Sequence, residues 1–174
     1  MKLLKLLSIF LTLIILSVAC RKDLVISSDQ LTVTDQTFLL EANLANMAEI
    51  DAANLAISKA TTPEVIAYAY QMLADHKPAL AELRAVADSV GFPVRDSVDP
   101  VRREVLFQLG SFSNRAFDSA YIHQQAFDHR NTRTIIGTEI VNGNHVKVKG
   151  YAYRILPHIE EHMLRADSIR SRLF

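Results

Sequence analysis

The chain reads as an all-α protein, a four-helix bundle in which two long helical hairpins are joined by a crossover connection. Three observations carry this reading. Gly and Pro are scarce, five of each in 174 residues, while Ala and Leu are abundant, a composition that favours helix. Four long segments repeat apolar residues at helical spacing between start and stop signals. The connections inside each pair are short and the one between the pairs is long, the loop pattern of two hairpins and a crossover.

Thr34 or Asp35 is placed to cap the first helix, whose apolar positions Phe38, Ala42, Ala45, Ala52 and Ala56 recur at helical spacing as far as Ala60. Thr62 followed by Pro63 is a second start signal, because proline's missing N–H costs nothing in a first turn. That helix carries Ala69, Met72, Leu73, Leu80, Leu83 and Ala87 and runs to about Val90, where Gly91 and Pro93 stop it. Pro78 lies inside it and predicts a kink, since the Ala74 carbonyl loses its usual donor. A loop over 92–100 leads to a short helix over 101–109, closed by Gly110, which belongs to the crossover. Asn114 is the expected cap of the third long helix, with Phe117, Tyr121, Ile122, Ile136 and Ile140 on one face and Asn142-Gly143-Asn144 as its stop. The last helix covers about His145 to Leu173, with Ala152, Ile155, Ile159, Ala166 and Ile169 in register and Pro157 inside it. The resulting domain spans 35–174 and is expected to be monomeric.

The N-terminus reads differently. Met1 to Lys5 supplies a positive start, Leu6 to Val18 an apolar run, and Ala19 a small residue before the single cysteine, Cys20. The run is shorter than the ~20 apolar residues that cross a bilayer. Leu16-Ser17-Val18-Ala19-Cys20 looks like a bacterial lipobox, with Ser17 where a larger aliphatic residue is usual. Residues 1–19 are therefore expected to be a lipoprotein signal peptide, Cys20 the acylated first residue, and residues 20–34 a tether whose Leu31 and Val33 can pack on the domain. The implied location is the bacterial cell envelope, lipid-anchored in the periplasm or at the outer membrane, with the membrane as a partner. With Cys20 committed to lipid, no thiol is left for a disulfide. Lys and Arg (19) balance Asp and Glu (19) and are scattered among them, so no basic stripe points to nucleic acid.

Candidate chemistry comes from polar residues that fall on the apolar stripes. His76 continues the series of the second helix, His129 lies midway between Ile122 and Ile136, and His162 sits within the series of the last helix. Glu49 fits among Ala42, Ala45, Ala52 and Ala56. Each long helix thus contributes one ionisable group to the interior, and groups buried there must bond to one another, to water or to a metal. Asp75 and Asp128 precede His76 and His129, about 100° around the helix, and are expected at the rim of such a site. His158-Ile159-Glu160-Glu161-His162 matches the short H-x-x-E-H pattern of one zinc-peptidase class. That class needs a carboxylate ligand well downstream and the sequence runs only to Phe174, so His158 and Glu161 are read as supporting groups. His123 and His145 lie off the stripes and are expected in solvent. No Gly-rich phosphate loop or Gly-x-Ser-x-Gly elbow occurs.

DQTFLLEANLANMAEIDAANLAISKATTPEVIAYAYQMLADH, YIHQQAFDH and ILPHIEEHM together resemble the bacterial envelope proteins grouped as domain of unknown function 4142, which are ferritin-like. The resemblance spans about Asp35 to Leu173 and rests on Glu49-Ile50, Asp75-His76, His129, and Leu156-Pro157 followed by His162. It implies an up-down-down-up ferritin-like bundle in the envelope and no known reaction. Carboxylate-bridged di-iron proteins of the wider ferritin-like group use Glu-x-x-His. Here the residues three before His76, His129 and His162 are Leu73, Ala126 and Ile159, so that ligand set is absent. A divalent metal (zinc, copper or iron) on Glu49, His76, His129 and His162 is the expected cofactor, with zinc and copper the better match to imidazole. The leading expectation is a non-enzymatic lipoprotein that binds a metal or a partner protein in stress tolerance. The alternatives are a structural module with a hydrogen-bonded His/Glu core, and third a metal-dependent enzyme.

Overall fold

The computed structural model describes residues 29–174; the expected signal segment, Cys20 and most of the tether lie outside the described residues. Five helices follow: α1 (Val33–Lys59), α2 (Pro63–Ser89), α3 (Pro100–Ser111), α4 (Asn114–Asn142) and α5 (Val146–Leu173). None is long and apolar enough to cross a membrane.

The ends of the helices refine the sequence expectations. Thr32, rather than Thr34 or Asp35, caps α1: its hydroxyl accepts from Asp35 N at 3.3 Å and the Asp35 carboxylate accepts from Thr32 N at 2.7 Å, a capping box. Val33 and Thr34 therefore belong to the helix and not to the tether; Leu31 packs on the core while Val33 is exposed. α2 closes at Gly91, whose φ of +69° lets Phe92 N donate to the Ala87 carbonyl and Gly91 N to the Asp88 carbonyl. α3 is longer than expected, with Asp99 as cap and Gly110 inside it. Ser113, not Asn114, caps α4; Asn114 takes a left-handed φ of +53°, a conformation asparagine tolerates, in the tight link from α3. Pro78 and Pro157 are both carried inside continuous helices.

Two buried aspartates fix the topology. Asp118, near the start of α4, accepts from the backbone N–H groups of Thr61 (3.0 Å) and Thr62 (2.8 Å) and from both threonine hydroxyls. It holds the α1–α2 turn, where Thr62 makes no side-chain cap of its own. Asp35, in the first turn of α1, accepts from Asn144 N at 3.1 Å and His145 N at 2.9 Å, and so holds the α4–α5 turn. α4 therefore starts where α1 ends and α5 starts where α1 begins, which is the up-down-down-up order. α1 packs on α2 and α4, α5 packs on α4 and α2, and α3 lies against α1 and α4. His145 is buried, contrary to its expected exposure, because its backbone bonds to Asp35 and its ring accepts from Lys147 N to cap α5. For both aspartates burial opposes ionisation, yet the converging hydrogen bonds outweigh it and hold the carboxyls below their ordinary range.

The apolar core divides into two clusters. Tyr68, Met72, Phe117, Tyr121 and Ile122 centre one, near the α1–α2 turn. Phe38, Leu39, Leu83, Ile136 and Tyr151 centre the other, near the α4–α5 turn. Between them runs a layer of buried polar side chains: Asn46, Glu49, His76, Gln125, His129 and His162.

A second acid accompanies Asp35. Glu139 is fully buried; burial first, then the neighbouring Asp35 carboxylate, pushes its pKa up to about 8. Gly143 makes room for it, since a Cβ there would collide with the Glu139 carboxyl and lie 2.6 Å from its carbonyl oxygen. A carboxyl whose folded pKa is raised binds its proton in the folded state after the unfolded chain has released it, so stability falls as pH rises from about 4.5 to about 8. Glu139→Gln removes that titration. Urea melts at several pH values should show the variant gaining on the wild type as pH rises, by at least ~1 kcal/mol across the window; a constant difference would contradict the buried, protonated acid.

Candidate metal centre

The polar layer is built one turn at a time. On α2 the stripe of Ala69, Met72 and Leu83 carries His76 to the centre; on α4 Ile122, Ala126 and Ile136 do the same for His129, and on α5 Ile155, Ile159 and Ala166 for His162. Helical periodicity on three neighbouring helices therefore aims three imidazoles at one point. Their ring centroids are 5.3–5.6 Å apart. One nitrogen of each lies within 4.8 Å of the others, and among the described residues this is the group so placed.

Each ring is oriented by an acceptor on its outer nitrogen. His76 Nδ1 faces Asn46 Oδ1 at 2.9 Å, and Asn46 is itself oriented because its Nδ2 donates to the Ala42 carbonyl at 2.9 Å. His129 Nδ1 faces the Gln125 carbonyl at 2.9 Å. His162 Nε2 faces Asp75 Oδ2 at 2.9 Å. Because all three partners accept, each outer nitrogen carries the proton, and in the neutral ring the inner nitrogen is left as a bare lone pair. Those inner nitrogens, His76 Nε2, His129 Nε2 and His162 Nδ1, are buried and have no protein hydrogen-bond partner.

Protonation does not relieve the arrangement. Burial, then the neighbouring imidazoles, holds His76 well below its ordinary value, and burial followed by His162 lowers His129 to about 3. Burial also lowers His162, against the pull of Asp75. Three neutral rings thus present three acceptors to one another.

Of the residues expected here, the structure brings His76, His129 and His162 together and sets Glu49 behind them. Glu49 Oε1 lies 3.8 Å from the outer nitrogen of His129, while Oε2 accepts from Gln125 Nε2 at 2.7 Å. Burial, reinforced by Asp128, raises the Glu49 pKa to about 8 despite the Gln125 bond. Asp75 is the partner of His162, and Asp128 lines a cavity of about 140 Å³ beside Glu49 between α1, α3 and α4. His158 lies at the surface in a cleft of about 320 Å³ between α2 and α5, and Glu161 is exposed. The sequence reading missed Asn46 and Gln125. Their signal was present: Asn46 lies one turn before Glu49–Ile50, and Gln125 one turn before His129, each on its helix's inward stripe.

Nitrogen NMR of the metal-free protein should find His76 and His129 protonated at Nδ1 and His162 at Nε2, with His76 and His129 staying neutral from about pH 8 to about pH 5. Unfolded imidazoles titrate near 6.5, so below that pH the unfolded chain binds more protons and folding weakens with acid. Ring signals of His76 and His129 that titrate between those pH values would overturn the buried geometry.

A family model described as domain of unknown function (DUF4142) matches residues 23–169. Among solved structures the fold is similar to the crystal structure of a DUF305 fragment from Deinococcus radiodurans, with a TM-score of 0.72, 11% identity, and coverage of 82% of this chain and 99% of that one. At that identity the likeness concerns the fold alone. No curated protein matches the sequence. A bundle with the expected helix order, matched over most of its length, thus belongs to the family of domain of unknown function DUF4142.

Proposed function

We propose that this domain is the metal-binding module of an envelope lipoprotein and holds one divalent ion on His76 Nε2, His129 Nε2 and His162 Nδ1 without catalysing a reaction. One observation carries the reading: the outer nitrogen of every ring is bonded and the inner nitrogen of every ring is not. A merely structural network would leave three orphaned acceptors, each at a cost of about 1–3 kcal/mol. A single water has two protons to offer three lone pairs, whereas one cation satisfies all three.

The donors favour zinc or copper over iron. All three are imidazoles, with neither thiolate nor Glu-x-x-His among them. Asp75 stands behind His162, and the buried Glu49 carboxyl beside His129 would give up its proton to a nearby cation, so that the two together offset two positive charges in the core. A carboxylate on the far nitrogen is also the usual means of orienting a metal-bound histidine and strengthening it as a donor. Sequestering such an ion outside the cytoplasm suits a role in stress tolerance, and acylated Cys20 holds the module at the membrane.

Adding zinc or copper to the purified domain should raise its melting temperature by several degrees, since ligand at about a hundred times Kd contributes ~2.7 kcal/mol. His129→Leu should abolish that rise while leaving metal-free stability within about 1.5 kcal/mol, because Leu fills a similar volume and the Gln125 carbonyl keeps its helical donor. A wild-type protein whose melting point no divalent ion moves would overturn the reading. For the anchor, Cys20→Ala should abolish labelling by a radioactive fatty acid and release the protein from membranes; an unlabelled wild type would contradict it.

A further inference from the structure

The imidazoles are buried, yet an ion must reach them, and the two flanking hollows are not equivalent. The cavity between α1, α3 and α4 is lined by Glu49 and Asp128 and touches none of the three histidines. It meets the layer behind His129, on the side of the nitrogen already bonded to Gln125. The cleft between α2 and α5 is larger, and His76, His162 and Asp75 form its wall. His158 lies on its rim, one helical turn before His162 on α5. The cleft is bridged by Arg154, which donates to Glu82 Oε1 through Nε at 2.9 Å and through Nη2 at 2.5 Å. Both side chains of that bridge are about half exposed, at 56% and 44%, and exposed ion pairs of this kind are weak enough to open without disturbing the fold.

We infer that the α2–α5 cleft is the route by which the ion enters, with His158 and Asp75 as its first ligands and the Arg154–Glu82 bridge as a gate. The inference rests on the three-histidine reading and adds a path and its control. Glu82 has two functions at the mouth: it neutralises the Arg154 guanidinium, and it holds that side chain across the opening. Once the bridge parts, the cation meets carboxylate and imidazole groups before the inner nitrogens, and His162 is shared between the cleft wall and the centre.

The two halves of the gate have opposite signatures. Stopped-flow mixing of the metal-free, full domain with Zn²⁺, followed by tyrosine fluorescence or a competing zinc dye, reads the association and dissociation rates. Arg154→Ala removes both the positive charge and the bar, and should speed association. Glu82→Gln keeps an amide oxygen that can accept from Arg154 and hold it in place but removes the charge that neutralises it, and should slow association by about tenfold at low salt, an effect that shrinks as salt is raised. His158→Ala should slow both directions together, leaving the dissociation constant within about twofold, because it lies outside the final ligand set. Asn131→Ala, in the opposite cavity, should leave the rates unchanged. Zinc binding with wild-type rates in the three cleft variants, or slowed only by Asn131→Ala, would overturn this route while leaving the centre intact. A wild-type domain that binds no zinc at all would overturn both.

Discussion

Three neutral imidazoles cannot satisfy one another when each turns a lone pair inward, and the rest of the interior is arranged so that they must. Asn46, the Gln125 carbonyl and Asp75 all accept hydrogen bonds, so each takes the proton of the ring it faces. Had any of the three been a donor, one ring would have turned its N–H inward and closed a hydrogen-bonded network. The chosen acceptors forbid this. Rings whose orientation is fixed by such a shell of acceptors are what the proposed metal site requires.

Placing such a layer in mid-bundle has a structural cost, which the two apolar clusters on either side offset. Tyrosines mark the boundary. Tyr68 donates to the His162 carbonyl at 3.3 Å from one side, and Tyr151 to the Ala79 carbonyl at 3.0 Å from the other, so their rings stay in the core while their hydroxyls find acceptors on neighbouring helices. The ends of the bundle are held by a reciprocal pair of aspartates: Asp118 of the second hairpin grips the turn of the first, and Asp35 of the first grips the turn of the second. Because each carboxylate takes consecutive backbone N–H groups, the hairpins are fixed in axial register as well as in contact. That register brings His76, at the midpoint of α2, level with residues from helices that run both with and against it.

Much of this was legible in the sequence because one periodicity serves two purposes. The same spacing that identified the helices rotated His76, His129 and His162 inward, and the Thr62-Pro63 and Asn142-Gly143-Asn144 signals set the hairpin turns. What escaped was decided by contacts between segments far apart in the chain. Glu49 shares the stripe, but its Gln125 partner on α4 draws it behind His129, and no local pattern on α1 encodes that. His145 looked solvent-facing because its burial depends on Asp35, at the other end of the sequence. The α1 cap was misplaced by two or three residues because Asp35 serves as the acid of a capping box as well as a tertiary acceptor, and either role resembles a cap when read locally. Asp118 and Glu139, both buried, fall seven residues before and fourteen residues after Gln125, on the same inward strip of α4, a sign available in the spacing but overshadowed by the histidines.

Whether the inner nitrogens of His76, His129 and His162 form one coordination sphere can be read by X-ray absorption spectroscopy at the metal edge of the zinc- or copper-loaded domain. The expected spectrum has a first shell dominated by three imidazole nitrogens at about 2.0–2.1 Å, with the multiple-scattering pattern of the rings, and loses that pattern in His129→Leu. A first shell of oxygens alone, or one unchanged by removing His129, would contradict it.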